Sequence, residues 1–231
     1  MLGEHIMRKI TLSILLGLGV AATVAMTGCG YKKLTMEAGA DANGHTAPTQ
    51  ATIDANARVL GELPFDNMED FEQANRGLIA RESSLRIKGP SDNLSEYTWN
   101  QDEYGFIKGD APGSVNPSLW RQAKLNGIHG LFKVTEGVYQ LRGYDLSNMT
   151  IIEGDKGWIL VDPLTSEENA RHGLAFARKP LGSKLISTII FTHSHGDHFG
   201  GVLGTLTEEE KNNVTVIAPE GFMEESTSEN I

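Results

Sequence analysis

The chain has 231 residues, of which 39% are hydrophobic and 22% charged, and its formal net charge is −10. This composition excludes disorder throughout and leaves length for one domain with an extension. The acidic balance, with no basic cluster, argues against a nucleic-acid partner, which needs a cationic footprint, and a lone cysteine excludes any disulfide within the chain.

Met7, Arg8 and Lys9 form a short positive region, followed by the uncharged run ITLSILLGLGVAATVAM and then TGCG around the sole cysteine, Cys29. Residues 1–28 therefore read as an export signal. An uncleaved membrane anchor is the competing reading, since the run is barely long enough to span, and small residues before Cys29 favour cleavage. Met26-Thr27-Gly28-Cys29 resembles the lipobox of bacterial lipoproteins, with Met in place of the usual Leu. The resemblance implies lipid modification of Cys29 and a periplasmic or outer-membrane lipoprotein.

Residues 29–62, with GADANGHTAPTQATIDAN at their centre, are small, polar and without periodicity, so they read as a flexible tether. His45 within them is a solvated loop residue. Residues 63–130 form a helical and irregular lead-in. Phe65, Met68, Phe71, Ala74, Leu78 and Ile79 have approximate helical spacing that ends before Gly89-Pro90. Residues 91–127 are turn-rich, and Trp99, Tyr104, Phe106 and Trp120 read as an irregular wrap packed over a core.

From 131 to 231 the pattern changes to short strands separated by glycine. KVTEGVYQLRG, MTIIEG and WILVDP give successive strands, Asp155-Lys156-Gly157 signals a tight hairpin, and the last strand ends on a carboxylate, Asp162. SEENARHGLAFARKPLG is a helix with Ala170, Leu174 and Ala177 on one side. The β-branched and apolar run KLISTIIFT is then a buried strand, which predicts α/β layering with one sheet beneath helices.

Straight after that strand stand His193, His195, Asp197 and His198, an H-x-H-x-D-H array. Alternation along an extended chain puts His193 and His195 on one side, and Gly196 lets the backbone swing Asp197 and His198 round to a second position. A single histidine after a strand is ordinarily a loop or core residue. Four ligating groups in six residues are costly unless something compensates them. Imidazole and carboxylate donors without thiolate suit Zn, Fe or Mn in an open, catalytic site.

THSHGDHFGG at 192–201, with Gly154-Asp155-Lys156-Gly157 and the strand ending in Asp162, resembles the metallo-β-lactamase fold superfamily. DFEQANRGLIA at 70–80, the long phrase from Asn116 to Gly154 and WILVDPLTSEENA at 158–170 resemble its linear alkyl and aryl sulfatase family more narrowly. The resemblance implies the first part of an αββα sandwich, with His193 and His195 on one zinc, Asp197 and His198 on a second, and Asp162 buttressing them by hydrogen bonds. It also implies a homodimer that hydrolyses primary alkyl sulfates, dodecyl sulfate among them, to an alcohol and inorganic sulfate. The remaining ligands would lie further downstream, so the sequence reads as the front portion of a longer protein, and His45, His129 and His172 stand in no matching context. Two readings compete: another hydrolase of the superfamily, a lactamase or glyoxalase-type thioesterase, and an inactive, truncated metal-binding lipoprotein.

Overall fold

A computed structural model describes residues 39, 41, 42, 44–90 and 95–230. The expected export signal, Cys29 and the first part of the expected tether lie outside the described residues. Two compact units divide between Ala47 and Pro48. In the first, His45 is exposed and its backbone N–H donates to Asp41 Oδ1 at 2.9 Å.

The second unit opens with helix α1, Gln50–Glu62, where the sequence predicts tether. The Thr49 hydroxyl caps it by accepting the Thr52 N–H at 3.2 Å. Alanines at 51, 55 and 57 favour helix without marking an apolar stripe, and no residue of α1 is buried. Periodicity therefore carried no signal here.

Helix α2 spans only Glu69–Asn75, and Leu78 and Ile79 leave it for strand β1, Leu78–Ala80. Gly77 makes the break: it adopts φ 77°, and a Cβ there would sit 2.1 Å from the carbonyl oxygen of Lys133. That close approach lets β1 pair antiparallel with β4, Gly130–Thr135. Strands β2 (Arg86–Lys88) and β3 (Tyr97–Asn100) form a separate two-stranded ribbon. A 3-10 turn, Gln101–Phe106, and helix α3, Pro117–Asn126, follow, so the expected irregular wrap is more regular than its turn residues suggest.

The large sheet has seven strands in the order β1-β4-β5-β6-β7-β8-β9. Strands β5 (Val138–Arg142), β6 (Met149–Gly154) and β7 (Gly157–Val161) complete the antiparallel meander, with Gly154 opposite Gly157 across the predicted hairpin. Helix α4, Glu167–Leu181, then crosses over to β8, Ile186–Ile190, which lies parallel to β7. Short helices α5 (Gly196–Phe199), α6 (Val202–Thr205) and α7 (Glu208–Lys211) lead to β9, Thr215–Ile217, also parallel, and α8 covers Phe222–Asn230.

Ala170, Leu174 and Ala177 of α4 are buried, as their spacing predicts, in a core with Leu141, Met149, Ile151, Trp158, Leu160 and Ile189. Each fully buried large aliphatic side chain contributes about 1.5–3 kcal/mol. On the opposite face of the sheet Gln140, Arg142, Thr150, Ile152, Ile159 and Val161 remain half-buried. The fold is mixed α/β, with one large sheet and one ribbon among the described residues.

Candidate metal centre

Strands β5, β7, β8 and β9 run in the same direction, since β5 and β7 are both antiparallel to β6 while β8 and β9 follow β7 in parallel. Their C-terminal ends share one edge of the sheet, the edge at which open α/β sheets build their sites. Asp162 stands one residue past β7 there, and His193 follows β8 by three positions.

The chain turns sharply at Asp162, with φ 54°, and again at buried Leu164, with φ 66°. Asp tolerates the left-handed region; for Leu it is a strained conformation held in place by its surroundings. The turn aims the Asp162 carboxylate across to β8. Oδ1 accepts the Thr192 N–H at 2.8 Å, and Oδ2 accepts the Thr192 hydroxyl at 2.7 Å. His198 Nδ1 lies 2.9 Å from the same Oδ2.

A carboxylate only accepts, so this contact places the proton of neutral His198 on Nδ1 and leaves Nε2 with its lone pair. The same logic runs through Thr192. Its hydroxyl proton goes to Asp162, so its oxygen accepts from His193 Nδ1 at 2.9 Å and His193 Nε2 keeps its lone pair. One carboxylate thus orients two imidazoles, which is how metal-binding histidines are ordinarily supported.

The array is drawn together, but by a different route from the one alternation predicts. His193 and Ser194 lie in a bend beyond the end of β8, and the bend, not a strand face, brings His193 Nε2 to 3.2 Å from His195 Nδ1. The His193 and His198 rings lie 4.0 Å apart between centroids, and His198 Nε2 is 3.4 Å from Asp197 Oδ2. Two donors on a tetrahedral zinc, each bonded at about 2.0–2.1 Å, stand roughly 3.3–3.4 Å apart. Both pairs, His193 with His195 and Asp197 with His198, therefore fit zinc in chemistry and spacing. Among the described residues no group of three or more His, Cys, Asp or Glu is arranged to hold a metal ion.

Supporting residues that sequence reasoning passed over surround the loop. Ser147, from the β5–β6 connection, donates its hydroxyl to the carbonyl of Asp197, and Ser194 donates to Glu229 of α8 at 2.6 Å. Gly200, Gly201 and Gly204 let α5 and α6 lie against the Pro163–Glu167 backbone: an added Cβ would meet Thr165 O at 2.2 Å, Pro163 O at 2.3 Å and Glu167 O at 2.1 Å respectively. The run FGGVLG carried that signal. The serines had none, because their partners are distant in sequence.

Residues 142–228 match the metallo-beta-lactamase superfamily. The chain is 47% identical over 184 residues to the alkyl/aryl-sulfatase BDS1 of Saccharomyces cerevisiae, covering 78% of this chain and 28% of that protein. It is 46% identical over 187 residues to a linear primary-alkylsulfatase of Pseudomonas, covering 79% and 27%. Among solved structures, the stereoselective inverting sec-alkylsulfatase Pisa1 from Pseudomonas superposes with a TM-score of 0.73 at 47% identity, covering 79% of this chain and 29% of that one. The chain thus spans 27–28% of the length of the curated relatives it matches. Over 78–79% of its length the chain is thus similar to alkyl- and aryl-sulfatases, and it carries a metallo-beta-lactamase superfamily match.

Proposed function

We propose that this chain forms the first part of a metallo-β-lactamase-type αββα sandwich that hydrolyses primary alkyl sulfate esters to an alcohol and sulfate in a zinc-dependent reaction. The observation that carries the reading is the pairing of His193 with His195 and of Asp197 with His198 around one orienting carboxylate, Asp162. His193 and His195 would hold one zinc, and Asp197 and His198 a second. Bound there, zinc supplies Lewis acidity and a water acidic enough to act as nucleophile near neutral pH. The chain's own share is to fix the imidazole tautomers through Asp162 and Thr192 and to hold the loop backbone through Ser147.

A lactamase or thioesterase would share the same array, so the array alone does not choose among them. The choice is supported by the lead-in: identity to alkylsulfatases extends over 78–79% of the chain, well upstream of the superfamily match. We extend the proposal to a homodimer exported to the periplasm or outer membrane and anchored by a lipid on Cys29. Among the described residues no helix is long and apolar enough to cross a membrane.

The test uses the whole translation product of the gene. It is expected to hydrolyse dodecyl sulfate, to lose activity on chelation and regain it with zinc, and to lose orders of magnitude of turnover in His193→Ala or Asp197→Ala. Preference for a β-lactam or a glutathione thioester over dodecyl sulfate would overturn the assignment. Running the reaction in labelled water reports the bond cleaved, since label in the alcohol means attack at carbon. Cys29→Ser is expected to abolish lipid labelling and release the protein from the membrane fraction.

A further inference from the structure

Asp145 stands in the β5–β6 connection and is a buried carboxylate, 6% exposed. Neutral donors hold both its oxygens. Oδ1 accepts the Leu146 N–H and the Thr165 hydroxyl, each at 2.7 Å, and Oδ2 accepts the Thr165 N–H at 3.0 Å and the Asn169 side-chain amide at 2.7 Å. Burying a carboxylate is costly unless hydrogen bonds replace its water. Here the replacements come from three segments: the connection itself, the turn after β7 and the start of α4.

Two of those segments are the walls against which α5 lies. Ser147, two residues past Asp145, donates to the Asp197 carbonyl. On the other side the Leu164 carbonyl accepts the Gly201 N–H at 2.8 Å, and the Thr165 carbonyl oxygen would stand 2.2 Å from a Cβ on Gly200. By holding Leu146 and Thr165 together, Asp145 ties the two walls of the helix that carries Asp197 and His198.

The tie continues away from the loop. A carboxylate only accepts, so Asn169 presents Nδ2 to Asp145, which leaves its Oδ1 to accept the Thr98 hydroxyl at 2.8 Å. That hydroxyl also lies 3.2 Å from the Ile87 carbonyl, and its single proton favours the nearer acceptor. Asn169 is 2% exposed, so solvent is kept from both of its contacts. Thr98 belongs to β3 of the ribbon, upstream of residues 142–228 that match the superfamily. The ribbon is thus joined to the metal loop through Thr98, Asn169, Asp145 and the connection that carries Ser147.

We propose that Asp145 is a positioning residue for α5, holding the Asp197 backbone between Ser147 and Thr165, and that the ribbon sets Asp145 through Thr98 and Asn169. One consequence rests on the metal-centre reading above: zinc held by Asp197 and His198 depends on this tie. The positioning itself does not require metal, so the two readings fail separately.

The experiment uses the whole translation product of the gene. In the metal-free protein, amide hydrogen exchange is followed by mass spectrometry in a peptide spanning 196–204, where the N–H groups of His198, Gly200 and Gly201 are hydrogen-bonded. Asp145→Asn must turn a donor toward the N–H of Leu146 or of Thr165, and it is expected to speed exchange in that peptide about tenfold or more. Zinc titration against a chromogenic chelator is expected to show about tenfold weaker binding in the step that Asp197→Ala abolishes. Thr98→Val keeps the shape but removes the hydroxyl, and is expected to weaken the same step several-fold, whereas Thr98→Ser keeps the hydroxyl and the affinity. Far-UV dichroism checks folding. Should Asp145→Asn not fold, the Thr98 pair carries the test, because Thr98 is only half-buried. Wild-type exchange at 196–204 in folded Asp145→Asn, or faster exchange confined to β4, would show that Asp145 supports the fold and not the loop. Equal zinc affinity in wild type and folded Asp145→Asn, or Thr98→Ser binding as weakly as Thr98→Val, would likewise overturn the proposal. A wild type that binds no zinc would overturn the metal reading alone, and exchange at 196–204 would then decide the positioning.

Discussion

The carboxylate of Asp162 holds both the backbone N–H and the hydroxyl of Thr192, at 2.8 and 2.7 Å. The end of β7 is thereby fastened to the residue that opens the histidine loop. Asp162→Asn keeps the size but replaces one acceptor oxygen with a donor, which must then face either the Thr192 backbone N–H in place of Oδ1 or both the Thr192 hydroxyl and the His198 Nδ1–H in place of Oδ2. Loss of one orienting contact of this kind ordinarily lowers metal affinity about 10–100-fold. Competition against a chromogenic chelator measures it, and thermal unfolding without metal is expected to show a separate loss of about 1–3 kcal/mol from the unpaired group. Unchanged zinc affinity would mean that Asp162 supports the loop without orienting its imidazoles.

Gly204 has the closest approach on α6, with the Glu167 carbonyl 2.1 Å from where a Cβ would stand. Backbone at the start of α4 cannot move aside as a flexible side-chain tip can. Gly204→Ala is therefore expected to destabilise by about 1–3 kcal/mol, the ordinary cost of overpacking, although alanine is the better helix former. Denaturant titration decides the sign. A more stable Gly204→Ala would show that α6 can shift away from α4 freely.

Much of this arrangement was legible in the sequence, and the reason is local. Strands β5 to β8, helix α4 and the hairpin at Asp155-Lys156 are specified by alternation, glycine placement and the buried positions Ala170, Leu174 and Ala177, all read within short windows. The histidine array was equally plain because its groups are adjacent. What escaped depends on contacts between distant segments. Leu78 and Ile79 continue a helical spacing and become a strand only because Gly77 meets Lys133. Ser147 supports Asp197 from 50 positions away, and Glu82, His172 and Tyr144 meet across the fold without any shared motif.

Glu210 gives the pH dependence a definite sign. Its side chain accepts the Thr207 N–H, closing a capping box, and also the buried N–H of Ile186 at the start of β8. Burial pushes its pKa up, but the Thr207 and Ile186 N–H groups, the Thr207 hydroxyl and the charge of Arg178 outweigh it, so the net shift is downward. A carboxyl with a lowered folded pKa contributes stability that is fully present above its unfolded value, about 4.3, and that is lost as pH falls through the folded value. Glu210→Gln is expected to be less stable than wild type at neutral pH and to lose the difference below about pH 4. Parallel stability curves for the two proteins across that range would refute the linkage.

Tyr144 makes the same kind of contact deeper in the fold. Its side chain is fully buried, and its hydroxyl donates to Glu82 Oε2 at 2.9 Å, the oxygen that His172 Nε2 approaches to 3.0 Å. Burial, reinforced by the charge of Glu82, pushes the phenol far above its ordinary pKa, so ultraviolet titration is expected to detect Tyr144 ionising only when the protein unfolds in alkali. The two ends of the contact are unequal. Glu82 keeps 22% of its side chain exposed and can turn to water and His172 when Tyr144→Phe removes its donor, whereas Glu82→Ala strands a buried hydroxyl. Tyr144→Phe is accordingly expected to cost about 1 kcal/mol, and Glu82→Ala more, toward about 3 kcal/mol. The double variant is expected to cost less than the two single losses added together, with a coupling of at least about 0.5 kcal/mol. Additive losses in that cycle would show that the contact contributes nothing beyond the packing of the ring.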